Sequence, residues 1–214
     1  MRIELSCHDK ALNYNDVLKS LFSSTENKLD SISFPQGYLK LVTEFQKSID
    51  ISGLIDFPYG LSDTEIRLHS ILLAIRRGCK FIDLVLNSSD VENCRWSEIK
   101  KDVESSLRLC KDNRVSFRPV IEYRIFEPKK VIELCNFLHR IGVDVIVTST
   151  GTIVDDITDN IIIAREIQDN SGIHSIICSN IYSSEQIDII SDSNIHGVRF
   201  TSASILKYLF GNGV

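Results

Sequence analysis

No apolar run in this 214-residue chain reaches the roughly 18 residues that a helical membrane span needs. The opening Met1-Arg-Ile-Glu-Leu5 lacks the long apolar core of a signal peptide. There is no Cys-x-x-Cys pair. The six cysteines (Cys7, Cys79, Cys94, Cys110, Cys135, Cys178) are dispersed, most of them within apolar or helical stretches. That pattern speaks for reduced thiols in a cytoplasmic protein rather than a disulfide framework or a zinc site. Basic excess is missing too: 24 Lys and Arg face 29 Asp and Glu, for a net charge of −5. Nothing electrostatic therefore favours nucleic acid or an anionic membrane as partner. No Gly-x-Gly-x-x-Gly follows a strand signal, so the dinucleotide fingerprint is absent and no cofactor is expected. No linker, low-complexity tract or composition shift divides the chain, and residues 1–214 read as one domain with a full core.

What is present is a regular alternation of short apolar runs with amphipathic stretches. Strand signals fall at Arg2–Ser6, Leu29–Ser33, Ile51–Ile55, Phe81–Leu86, Ser116–Glu122, Asp144–Val147, Ser175–Cys178 and Gly197–Phe200. Helix signals fall at Asn15–Phe22, Gln36–Lys47, Ser62–Arg77, Ser97–Cys110, Pro128–Arg140, Ile157–Gln168, a short run from Ser183 or Ser184, and Ser202–Phe210. Ser62 with Glu65, and Ser183 with Gln186, have capping-box spacing. Gly78 sits where a left-handed C-cap belongs, and Pro128 suits a first helical turn. Eight strand–helix units in strict order imply a parallel sheet covered by helices, closed into a single-domain α/β (β/α)8 barrel. A doubly wound open sheet is the alternative.

Four ordered motifs resemble the deoxyribose-phosphate aldolase family. Asp56-Phe-Pro-Tyr-Gly60 with Thr64-Glu65 is similar to that family's Gly-Phe-Pro-Leu-Gly and Thr-Glu elements. Ile82-Asp-Leu-Val-Leu-Asn87 resembles its Ile-Asp-Met-Val-Ile-Asn strand, and Arg118-Pro-Val-Ile-Glu122 its Lys-Val-Ile-Ile-Glu. Gly142-Val-Asp-Val-Ile-Val-Thr-Ser-Thr-Gly151 resembles Gly-Ala-Asp-Phe-Val-Lys-Thr-Ser-Thr-Gly. The resemblance implies a barrel whose strand-6 lysine forms a Schiff base. A strand-7 lysine would depress that amine's pKa, and a strand-4 aspartate would move protons. Carried onto this chain, the aspartate is Asp83, the nucleophile is replaced by Val147, and the second lysine falls on Ile177. On adjacent-residue alternation Cys178, next to Ile177, is expected to turn away from the barrel interior as an inert thiol. The family's phosphate loops keep Gly151 but carry Asn180 and Ile181 in place of paired glycines. Val198-Arg-Phe-Thr-Ser-Ala203 stands where Ile-Gly-Thr-Ser-Ser-Gly is usual.

Asp83 is thus the candidate catalytic residue. Arg118, on the next strand, is the natural partner of a carboxylate that would be costly to bury alone. Candidate ligand-binding residues are Arg118, Glu122, Thr148, Thr150, Gly151, Asn180, Arg199, Thr201 and Ser202. For Thr148, Ser149 and Thr150, satisfying backbone groups in a tight loop competes with anion binding. For Glu122, capping a loop competes with a role at the barrel mouth, which His8 also could reach. Three functions follow. One is a barrel without Schiff-base activity that binds a sugar phosphate or other small anion, or serves in a homo- or hetero-oligomer. Another is an enzyme performing proton-transfer or lyase chemistry on a small anionic substrate through Asp83, Glu122 and Arg199. The third is an aldolase with a displaced lysine. An open mouth with Asp83 and Arg199 converging would favour an enzyme; a mouth filled by Val147, Ile177 and Phe200 would not.

Overall fold

The structure, a computed structural model, describes residues 1–8, 13, 15–17, 19, 29–45 and 48–202. Eight strands run β1 Arg2–Ser6, β2 Ser31–Pro35, β3 Asp50–Ile55, β4 Phe81–Val85, β5 Ser116–Val120, β6 Val145–Val147, β7 His174–Ser179 and β8 Gly197–Phe200. Each pairs in parallel with the next, and β8 pairs with β1 to close the barrel. Closure removes the open-sheet alternative. Helices Gln36–Phe45, Thr64–Arg76, Trp96–Asp112, Pro128–Arg140, Ile157–Ser171 and Ser184–Ser191 occupy the crossovers. The predicted final helix after Ser202 lies outside the described residues, as does part of Asn15–Phe22.

Local chemistry explains most boundaries. Pro128 opens its helix at a position whose N–H needs no partner. Ser183 and Gln186 form a true capping box at the head of Ser184–Ser191. The expected box at Ser62 and Glu65 does not form. Asp63 is the N-cap, without a side-chain hydrogen bond, and Ser62 donates to Asp56 instead, through both its N–H and its hydroxyl. A short helix, Ser88–Glu92, was not anticipated; Asn87 caps it by accepting from the N–H groups of Ser89 and Asp90.

The core has two layers. The larger fills the space between barrel and helices. The smaller lies inside the barrel and comprises Val85, Val120, Val147, Ile176 and Cys178. Strand register sets the phase. Asp83 pairs Arg118, Val85 pairs Val120, Val120 pairs Val147 and Val147 pairs Ile176. Cys178 pairs Arg199, which pairs Glu4. Paired side chains on neighbouring strands share a face, so these residues all point inward.

Candidate functional site

The centre of the barrel is ionic. Arg118 Nε donates to Asp83 Oδ1 at 2.7 Å and Nη1 to Glu4 Oε1 at 2.8 Å. Arg199 Nη2 lies 2.8 Å from Glu4 Oε2 and 2.9 Å from Asp83 Oδ2. The hydroxyls of Ser33 and Ser52 also donate to Asp83 Oδ2. The expected Asp83–Arg118 pair therefore exists, inside a four-residue cluster whose second carboxylate, Glu4, sequence reasoning missed. Nothing in Arg2-Ile-Glu-Leu-Ser6 marks Glu4 except a lone carboxylate in a strand. Asp83 and Glu4 are 0% exposed, Arg199 2% and Arg118 3%. Burial alone would raise the Glu4 carboxyl, but the Arg118 and Arg199 guanidiniums outweigh it and hold it at about 2. Arg199 shows the converse: burial works against its charge, yet Asp83 and Glu4 raise its pKa. Asp83 and Arg199 do converge, but in a saturated cluster closed to solvent. Asp83 Oδ2 carries most of these contacts, while Oδ1 takes the Arg118 Nε alone.

Beside this cluster lies the apolar patch that contains Val147. The placement expected of Ile177 at the barrel mouth needs correcting. Ile177 faces outward into the layer beneath the helices, whereas Ile176 and Cys178 face inward. A fully buried parallel strand is apolar on both faces, so its phase cannot be read from alternation. Cys178 thus lies inside, contrary to expectation, though it is inert: burial pushes its thiol up to about 12. None of the six cysteines is paired with another in a disulfide.

The loops at the C-terminal ends of the strands are tied to one another. Thr148 Oγ1 donates to Asn160 Oδ1 at 2.7 Å. The Ser149 hydroxyl accepts from Gly151 N. Thr150 donates to Glu122 from both its N–H and its hydroxyl. Thr201 is hydrogen-bonded to Asn180 Oδ1, while Asn180 Nδ2 reaches Gly151 O at 3.4 Å. Gly151, at φ +77°, is packed so closely that a Cβ there would stand 2.5 Å from the Thr201 methyl. Ser202 is exposed. His8 does reach this end: its Nδ1 is 2.9 Å from Ser6 Oγ, and its ring stacks obliquely on Phe57 at 4.9 Å. Glu122 caps the loop, with its Oε1 buried and unpartnered among the described residues. Burial raises its pKa, and hydrogen bonds from Thr150 and Ser149 partly offset that.

Two further hubs escaped the sequence reading. Asp155 accepts from Ser179 and Asn160 at 2.7 Å each and from Tyr123 at 3.3 Å. Arg67, 3% exposed in the first turn of helix Thr64–Arg76, donates Nε to Asp56 at 2.8 Å and Nη2 to the carbonyls of Gly60 and Val85 at 2.7 and 2.6 Å. Its Nη1 pairs with Asp102. A single arginine on an otherwise mixed helix face gives no sequence signal of such a role. Among the described residues no group of three or more His, Cys, Asp or Glu is placed to hold a metal ion. Nor, among them, is any helix long and apolar enough to cross a membrane.

A closed eight-stranded parallel barrel with polar loops at its C-terminal face defines the architectural class. No family model matches the chain. Curated relatives do. A deoxyribose-phosphate aldolase of Treponema denticola is 26% identical over 138 residues, 64% of each chain. One of Mannheimia succiniciproducens is 24% identical over 162 residues, covering 74% of this chain and 71% of its own. One of Streptococcus agalactiae is 30% identical over 122 residues, 56% of this chain and 54% of its own. Among solved structures, a tetrameric deoxyribose phosphate aldolase from Aeropyrum pernix superposes with TM-score 0.88 at 17% identity, covering all of this chain and 91% of the other. An N-acetylmannosamine-6-phosphate 2-epimerase from Clostridium perfringens shares the fold at TM-score 0.65 and 14% identity, covering 97% and 91%. The curated relatives this chain resembles are thus deoxyribose-phosphate aldolases, and it spans between about half and 71% of their length.

Proposed function

We propose that this chain is a member of that family that has left imine chemistry and works as a non-catalytic barrel, a small-anion-binding protein or an oligomer subunit rather than a Schiff-base aldolase. One observation carries the reading: Val147, at the position of the family lysine, packs at 0% exposure among Val85, Val120, Ile176 and Cys178. An imine needs an unprotonated amine beside the aldehyde. Among the described residues every lysine is exposed except Lys130, which is half-buried on an outer helix; Lys10, Lys28, Lys47 and Lys207 lie outside them. The commitment of Thr148, Thr150 and Thr201 to protein partners further supports the reading. Any sugar phosphate at Gly151, Asn180, Thr201 and Ser202 would have to displace those bonds. The Aeropyrum relative's tetramer supports an oligomeric role, and six cysteines without a disulfide among them suit a reducing cytoplasm.

The test is trapping. The protein is incubated with deoxyribose 5-phosphate and borohydride and analysed by mass spectrometry. No lysine adduct is expected. An adduct mapped to one lysine would overturn the proposal in favour of a displaced nucleophile.

A further inference from the structure

The family's chemistry sits at the C-terminal face of the barrel, but the opposite face carries unexplained charge. A cleft of about 310 Å³ opens there, within the size range of small-molecule sites. Its walls include Arg2, Lys111, Arg118 and His196, against the one acidic residue Asp144. The aromatic wall is Phe81, with the Arg118 guanidinium 4.2 Å and the Arg2 guanidinium 4.9 Å from its ring centre.

The ionic cluster above this cleft is not neutral. Its two carboxylates, Glu4 and Asp83, serve three guanidiniums. Glu4 Oε1 takes both Arg118 Nη1 at 2.8 Å and Arg2 Nε at 3.2 Å. Glu4 Oε2 and Asp83 Oδ2 are given to Arg199. Arg2 is left with the weakest share, and its Nη2 is buried without a partner among the described residues. The Arg2 side chain is otherwise 30% exposed, and an anion in the cleft would offset the excess charge. Ser31 Oγ and Ser175 Oγ, at the same ends of their strands, are likewise buried and unpartnered. The Ser175 residue lines an adjoining cleft that meets this one at His196.

We propose that the N-terminal face of the barrel holds a binding site for a small organic oxyanion, a carboxylate or phosphate monoester. Arg2 and Lys111 bind the charged end, and Phe81, Val145 and Ile176 receive the apolar body. The site is separate from the Thr148–Gly151 loops and does not rest on whether the protein is catalytic.

Calorimetric titration with inorganic phosphate and with benzoate tests it. At least one probe should bind saturably below about 10 mM. Arg2→Gln should weaken it by about tenfold or more, as loss of a charge-assisted hydrogen bond does. Lys111→Gln should weaken it by a smaller factor. Lys111 is exposed on helix Trp96–Asp112, so this variant tests the site even if Arg2→Gln folds poorly. Lys129→Gln, where helix Pro128–Arg140 begins at the far end of the barrel, should bind like wild type. No saturable binding of either probe overturns the proposal, as does binding untouched by both Arg2→Gln and Lys111→Gln. Binding lost in Lys129→Gln but kept in Arg2→Gln would move the anion to the opposite face and overturn it equally.

Discussion

The barrel interior has two unlike halves. Toward β1, β2, β3 and β8 it is built from Glu4, Ser33, Ser52 and Arg199, with Asp83 and Arg118 reaching in from β4 and β5. Toward β4–β7 it is Val85, Val120, Val147, Ile176 and Cys178. Both are fully buried, but they tolerate different changes. The polar half stands only while each buried carboxylate keeps its guanidinium partners, because a buried ion without its partner costs several kcal/mol. The apolar half stands on close packing and offers a new charge no partner at all. Val147, which the sequence resemblance matches to the family's lysine, falls in the second half. An amine placed there would be driven neutral by desolvation, but it would meet valines rather than polar groups able to position a sugar.

The largest expected effect comes from unbalancing the polar half. Arg118→Ala leaves Asp83 and Glu4 short of a cation and should cost about 3–5 kcal/mol in urea denaturation. A loss below ~1 kcal/mol would mean that the cluster does not hold the barrel together.

Acid should dismantle the same half. Glu4 is held at about 2 when folded, against 4.5 when free. A depressed carboxyl stabilises fully above its unfolded value and ceases to do so as pH falls through the folded one. This group alone should therefore remove roughly 3 kcal/mol between about pH 4.5 and pH 2. Denaturation midpoints across that window should fall steeply in wild type and less steeply in Glu4→Gln. Parallel slopes would contradict the assignment.

Glu122 is the opposite case, a carboxyl whose pKa burial raises. Its contribution favours the folded state at low pH and is lost as pH rises. Glu122→Gln keeps an acceptor for Thr150 and removes the buried charge, so at pH 7 it should be neutral or stabilising by less than about 1 kcal/mol. A loss of several kcal/mol would show that the ionised form is essential to the loop. Smallest of all is the surface pair Arg124–Asp159. Asp159→Asn should leave the midpoint unchanged within error, since exposed pairs are screened. A clear drop would blur the contrast between interior and surface ions.

Much of this was legible in the chain. Gly197–Phe200 and Pro128–Arg140 have the expected bounds, because periodicity and a first-turn proline act locally. Asp83 with Arg118 was readable because successive strands of a barrel lie side by side. The phase of β7 was not, since His174–Ser179 is buried on both faces after its first residue; only closure against β8 fixes which residues face inward. Glu4 was hidden for a related reason: its partners lie 114 and 195 residues away in sequence. The capping box at Ser62 failed because Asp56, held at φ +55° by the turn, captured the serine first.

Arg67 joins pieces that the chain presents separately: Asp56 and Gly60 in the turn after β3, the Val85 carbonyl at the end of β4, and Asp102 on the following helix. Gly60 is pressed so near that a Cβ would stand 2.5 Å from the Leu86 carbonyl oxygen. A clamp of this kind makes opening collective. Neither the β3 turn nor the β4 end can swing away from the helix without the other two being released. Amide hydrogen exchange should therefore report one shared protection step for Gly60, Leu86 and the first turns of Trp96–Asp112, so that these adjacent units behave as one foldon.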